Sequence, residues 1–146
     1  MSIRARVHPK SKRVMLDIPK HLRKHRTSIE QALYEIGKIV GNETDRLITT
    51  GTRTGRIYRF RGLRHQASAF GEPPATRSGR LARSYDYRVH GWHKMTVGEE
   101  ADYAGFLERG TRFIKPRQHL ILAINNKAGD TVKIFQTYTK RNILKK

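Results

Sequence analysis

Apolar residues return along this chain with two different periods, and the longest run has the period of a helix. Ile29, Leu33, Ile36, Val40 and Leu47 share one face of a helix that starts near Ser28. Ser28 followed three positions later by Gln31 has the form of a capping box, which would satisfy the first free amides. Gly37 and Gly41 lie four apart in the same run, and each costs roughly 1 kcal/mol relative to alanine in an exposed helix interior. Either another segment comes close to the helix there, or the helix tolerates them. Ahead of it, residues 1–26 alternate basic and apolar positions, and Val14, Leu16 and Ile18 at period two predict a short strand stopped by Pro19. The heptapeptide KHLRKHR that follows is too charged for a core; it reads as a solvated helical turn or a phosphate-binding patch.

The pattern breaks down after residue 50. GTRTGRIYRFRGLRHQASAFGEPPATRSG is rich in Gly, Pro, Thr, Ser and Arg, and holds one plausible strand, Arg56 to Phe60, with Ile57 on one face and Tyr58 and Phe60 on the other. A core-poor stretch this long inside a compact domain is a functional loop or an interaction arm more often than a passive connection. Residues 51–77 are therefore expected to protrude. Disorder is the alternative, and the aromatic and β-branched residues at its start oppose it.

Regular patterning then resumes. Ser78 is placed to cap a short helix through Ser84, and Tyr85, Tyr87 and Val89 alternate into a strand. The chain turns at His90-Gly91-Trp92-His93 and returns through Lys94 to Gly98 as a hairpin. Tyr103, Phe106 and Leu107 predict a helix over Ala101 to Arg109 stopped by Gly110, and Pro116 opens another carrying Leu120, Ile121 and Ile124. Asp130 would cap a last helix with Val132, Phe135, Tyr138 and Ile143, although alternation in VKIFQTYT also allows a strand. Together these elements predict an α+β domain, helices packed on a small antiparallel sheet. The 146 residues fit one domain, with 1–27 as a basic N-terminal segment and 140–146 as a basic tail.

Charge changes this picture more than length does. With 31 Lys and Arg against 12 Asp and Glu, the net charge of +19 repels itself in an isolated protomer, and 36% hydrophobic residues give only a thin core. Contacts with a partner should help to hold such a protomer. A sequence-nonspecific nucleic-acid binder is the rival reading, since clustered Lys and Arg displace counterions from phosphates. Cysteine is absent, which excludes disulfides and thiolate metal sites. No run approaches the ~20 apolar residues of a membrane span and nothing resembles a secretory signal, so a soluble, intracellular product is expected.

The search for chemistry is mostly negative. Of seven histidines only His90 and His93 stand close, with no third zinc ligand beside them, and surface or turn positions are expected for the histidines. Glu99, Glu100, Asp102 and Glu108 flank Tyr103. They read as acid-base candidates, or as an acidic island that a neighbouring copy can grip, and the second is preferred. Gly51, Gly55 and Gly62 among Arg53, Arg56, Arg59 and Arg61 lack the GK[ST] of a nucleotide cradle. A small hydrolase or nuclease has no constellation to recommend it, and neither a cofactor nor a metal is expected.

Four stretches stand in an order that resembles a known family: ALYEIGKIV, then TGRIYRF, then HQASAFGEPPATRSGRLARSY, then ADYAGFLERGTRFIKPRQHLILAI. The family is that of minor tail protein Z-like neck or tail-completion proteins of long-tailed bacteriophages and prophages. Its motifs fall here on Ser68 to Ala75, Ser78 to Ser84, Tyr103 to Thr111 and Pro116 to Ile124, and the likeness covers residues 28 to about 125. Arg117-Gln118-His119 departs from the family's usual Arg-Pro-aromatic. The resemblance implies a non-enzymatic virion protein whose protomers form a hexameric ring at the head-tail junction, made in the cytoplasm of the bacterial host. Implied partners are sister copies, a tail terminator or tail tube, head-closure or connector proteins, and genomic DNA, with no membrane. Contact residues implied in this way are Arg56, Tyr58, Phe60, Phe70, Glu72, Pro73, Pro74, Tyr103, Glu108 and Thr111.

Overall fold

The computed structural model describes the backbone of residues 4–7, 13–17 and 25–143, and the side chains of 25–140. Ile18, Pro19, most of KHLRKHR and the end of the basic tail lie outside the described residues. The fold is α+β. Strands β1 (Arg4–Val7) and β2 (Arg13–Asp17) are followed by the long helix α1 (Arg26–Thr50) and a hairpin of β3 (Ile57–Phe60) and β4 (Leu63–Gln66). A second hairpin, β5 (Tyr85–His90) and β6 (Lys94–Glu99), leads into α2 (Ala104–Arg109), α3 (Leu120–Asn126) and α4 (Ala128–Ile143). One antiparallel sheet has the order β1-β2-β6-β5, and among the described residues β3 and β4 pair with each other alone.

The core follows the apolar stripe of α1. Ile29, Leu33, Ile36, Val40 and Leu47 are buried against Met95 and Val97 of β6, Leu120 and Ala123 of α3, and Phe135 of α4. Helix α1 begins two residues before Ser28, which lies buried in its first turn, and no side chain caps its start. The capping-box reading therefore fails: burial of Ser28 and Ile29 carries the helix past the polar pair. At the other end the Arg53 guanidinium donates to the carbonyl oxygens of Ile48 and Thr49, a cation placed on the free acceptors of the last turn.

Gly37 and Gly41 are there for close approach. A Cβ at Gly37 would overlap the Tyr87 ring, and one at Gly41 would come 2.6 Å from Tyr85 Cε1. Tyr85 also donates its hydroxyl to the Gly37 carbonyl oxygen at 2.8 Å. The two glycines thus form a groove on α1 that seats the first half of β5 and fixes the helix on the sheet. Gly37→Ala should destabilise the fold by about 1–3 kcal/mol through overpacking, although alanine is the better helix former by about 1 kcal/mol. Urea denaturation decides: a midpoint equal to or above that of the native chain would show that the contact does not matter.

Several boundaries differ from the sequence reading. The loop after α1 contains a second strand, β4, whose residues LRHQ lack a clear alternation; what defines the hairpin is a two-residue turn, Arg61-Gly62, with φ of 49° and 78°. Positive φ at both positions matches the right-handed twist of the strands. His90 belongs to β5 and pairs with Lys94, so the second turn has three residues, Gly91, Trp92 and His93. The helix from Ser78 shrinks to one 3-10 turn, Ala82–Ser84. Helix α2 buries Ala104 and Gly105, while Tyr103 and Phe106 are exposed. VKIFQTYT is helical throughout, with Asp130 inside the first turn of α4 and not ahead of it. Helix α3 starts at Leu120, four residues after Pro116, for a reason supplied from α2.

Candidate functional site

That reason is a buried charged cluster. Glu99 ends β6, Glu108 lies on α2, and His119 immediately precedes α3 with no exposed surface. His119 Nε2 is 2.7 Å from Glu99 Oε2, and Nδ1 is 3.0 Å from Glu108 Oε2 and 3.1 Å from the Arg117 carbonyl oxygen. The Glu108 carboxylate also accepts the amides of His119, Leu120 and Ile121 at 3.0, 3.2 and 2.9 Å. It therefore caps α3 from a different helix, which is why that helix begins where it does. Burial opposes charge on His119, but the hydrogen bonds and charges of Glu108 and Glu99 outweigh it and raise its pKa to about 10. Burial likewise acts against the Glu108 carboxylate, and its bonds to His119 and the α3 amides overcome that and lower its pKa.

An imidazolium between two carboxylates joins three elements. The expectation of a surface or turn position fails for His119, and two of the four acidic residues read as an island for a neighbour, Glu99 and Glu108, turn inward. The other two pair on the surface, Glu100 with Arg88 at 3.6 Å and Asp102 with Arg80 at 3.5 Å. Nothing local in the sequence announces the cluster, because its members lie 9 and 11 residues apart on three elements.

The cluster clamps both ends of the loop between α2 and α3. Gly110, at φ 75°, has no room for a Cβ: the Ile114 carbonyl oxygen would lie 2.7 Å away. The Thr111 amide bonds to that oxygen at 2.7 Å, and Thr111 Oγ1 accepts the amides of Phe113 and Ile114 at 3.1 and 3.0 Å. The tight turn that results pushes Phe113 and Ile114 outward, and Phe113 is 81% exposed, the most of any large apolar side chain described.

Residues 68–80 adjoin this loop. Arg117 Nη1 donates to Ser68 Oγ at 2.8 Å, and Lys115 Nζ stands 4.4 Å from the centre of the Phe70 ring. Pro74 is buried, Pro73 half-buried, and Pro74 lines a cleft of about 420 Å³ with Arg77, Arg80, Tyr103, Leu107 and Arg117. Glu72 does not face that cleft. Its carboxylate accepts the Thr54 amide at 2.9 Å, the Thr54 hydroxyl at 2.6 Å and the Ala69 amide at 2.6 Å, closing the neck of the β3–β4 hairpin. The same three hydrogen bonds hold its pKa below the usual carboxylate range.

The hairpin has two dissimilar faces. Tyr58, Phe60, Leu63 and His65 share one, with Tyr58 stacked on His65 at 5.9 Å and the Arg77 guanidinium 3.9 Å above Phe60. Phe60, Leu63, His65, Arg77 and Ser78 border a second cleft of about 310 Å³, which shares Arg77 and Ser78 with the first. Arg59 and Arg64 stand opposite each other on the other face, exposed, while Arg56 lies just before β3, also exposed.

Of the residues singled out from the sequence, Tyr58 and Phe60 thus both lie against His65 on one face of the hairpin, Pro74 and Tyr103 share a cleft, and Phe70 lies under Lys115 of the loop that Thr111 begins. Arg56 stands apart, and Glu72 and Glu108 serve contacts within the chain. Sequence reading assigned no contact role to Arg77 and Arg117, which join these pieces, or to Phe113 and Ile114, which project from the loop after α2. No family model matches the chain, and no curated protein or solved structure matches it either.

Proposed function

We propose that this chain is a structural, non-enzymatic virion protein of a long-tailed bacteriophage or prophage. Its copies close a ring, hexameric in our reading, at the head-tail interface, where it completes the tail and joins it to the capsid connector. The reading rests first on the resemblance of residues 28 to about 125 to the neck and tail-completion proteins. One physical observation supports an assembly role: of the ten large apolar side chains exposed among the described residues, eight, Ile57, Tyr58, Leu63, Phe70, Tyr103, Phe106, Phe113 and Ile114, lie on the hairpin, in the segment after it, or between Tyr103 and the loop that follows α2, the other two being Tyr34 on α1 and Val132 on α4. Exposed apolar side chains grouped in this way fit a surface that is covered in use. Residues 51–77 then act as an arm laid on a sister protomer or on a tail-terminator, tail-tube or head-closure protein. Synthesis takes place in the cytoplasm of the bacterial host.

The reading is tested in the particle and in solution. Deleting residues 51–75 should stop heads and tails from joining and abolish infectivity; infectious particles from that mutant would refute it. Because a deletion can also unfold a domain, Phe113→Asp with Ile114→Asp provides a second arm of the test. These side chains are exposed, so the double variant should keep its circular-dichroism spectrum and melting temperature while losing the ring in sedimentation or mass photometry. A native chain that is monomeric at virion-like concentration would be equally fatal.

A further inference from the structure

The outward face of the β3–β4 hairpin is charged in a way that the rest of the molecule does not explain. Arg59 and Arg64 are directly opposite across the ladder. Like charges in that position destabilise a strand pair, and a two-stranded hairpin has little stability to lose. Among the described residues neither guanidinium has an ion-pair partner, whereas Arg61 and Arg77 lie over Phe60 and Arg117 is bonded to Ser68. We propose that this arginine face grips the sugar–phosphate backbone of double-stranded DNA, independently of whether the ring forms.

Charge decides against a sister copy as the occupant. Of the carboxylates with described side chains, Glu35, Glu43, Asp86, Glu99, Glu100, Asp102, Glu108 and Asp130 already face a cationic group of their own chain and Glu72 is held by Thr54 and Ala69, which leaves only Glu30 and Asp45, both on α1. A protein with 31 Lys and Arg and 12 Asp and Glu cannot neutralise its own excess by self-association. A polyanion can, and the planar fork of arginine matches a phosphate in two-point contact. Duplex is favoured over single strands because the aromatic side chains of the hairpin on which bases could stack, Tyr58 and Phe60, lie on the face opposite Arg59 and Arg64, beside His65 and Arg77. A two-stranded ribbon is also of a size that the major groove admits.

The test is a salt titration of the purified chain with random-sequence 30-base-pair DNA, read by fluorescence anisotropy. Removing two phosphate contacts with Arg59→Ala and Arg64→Ala should make the slope of log K against log salt shallower by about 1.8 and weaken binding roughly tenfold or more near 0.1 M salt. Lys133→Ala with Lys140→Ala removes the same charge from exposed positions on α4 and should leave the slope within about 0.5 of the native value. Equal effects from the two pairs would mean diffuse attraction and overturn the proposal, as would tighter binding of a 30-nucleotide single strand or no binding by the native chain. Relief of the cross-strand repulsion should leave the arginine variant at least as stable as the native protein, so its melting temperature separates lost contact from lost fold. Sedimentation of the same samples reports ring formation separately.

Discussion

Replacing His119 by leucine should lower the free energy of unfolding by about 3–5 kcal/mol, the cost of stranding buried charge without its partner. Glu99 has almost no exposed surface, its Oε1 has no hydrogen-bond partner among the described residues, and Oε2 depends on His119. The penalty arises from what remains in place, and that gives the experiment its second half. Leucine at both Glu99 and His119 removes the stranded charge and should be markedly more stable than the single variant, since apolar replacement of a buried pair is often neutral or better. Glu108 is retained in both because it caps α3. If the double variant is no more stable than the single one, the cluster's contribution is packing and not charge.

The same cluster sets a pH dependence whose sign follows from His119. Its pKa in the fold is about 10 against 6.5 without the fold's influence, so its full contribution is present below about pH 6.5 and disappears as the pH rises towards 10. Glu108 works at the other limit: its lowered pKa contributes stability above the ordinary carboxylate range and loses it as the pH falls through the folded value. Self-repulsion from a net charge of +19 should ease as the pH climbs, opposing the His119 effect. The measurement is therefore a comparison. Between pH 6.5 and 9.5 the native chain should lose several kcal/mol relative to His119→Leu in paired denaturation curves, and parallel curves would reject the assignment.

The second large effect concerns Phe135, the bulkiest side chain among those fully enclosed. It belongs to α4, which lies against α1, and its cavity would open into the main core beside the α1 stripe and Ala123. Phe135→Ala should cost about 3–5 kcal/mol, a large fraction of the about 5–15 kcal/mol that holds a domain of this size together. Val132→Ala, three residues earlier at an exposed position, should change little. Similar losses from both would show that the helix as a whole is marginal and that Phe135 is no anchor.

Phe135 also illustrates what could be read from the residues. Val132, Phe135 and Tyr138 carry the helical period, but Val132, Ile134 and Tyr138 also fall on alternate positions and suggest a strand, and only docking on α1 separates the two. Helix α1 and the β5–β6 hairpin were legible because one strong period runs through each. The alternative that Gly37 and Gly41 mark a close approach was right, and only the positions of Tyr85 and Tyr87 could select it. The Arg61-Gly62 turn was missed because arginine rarely takes positive φ, so the hairpin lacked its usual signal. The Glu99-Glu108-His119 cluster was invisible because burial, not spacing, brings it together. Exposure of Phe113 and Ile114 was hidden for the opposite reason, since apolar residues after a helix are ordinarily taken as its continuation into the core.

The order β1-β2-β6-β5 places the first strands of the chain against a strand more than seventy residues further on, with Arg13 beside Gly98 and Asp17 beside Lys94. During synthesis the amino-terminal strand pair and the apolar stripe of α1 therefore leave the ribosome well before the surfaces that will cover them, and α3 and α4 follow later still. Such sequence-distant pairing slows folding and keeps greasy surface uncovered meanwhile. The net charge of +19 acts in the opposite direction during that interval, because incomplete chains of like charge repel one another.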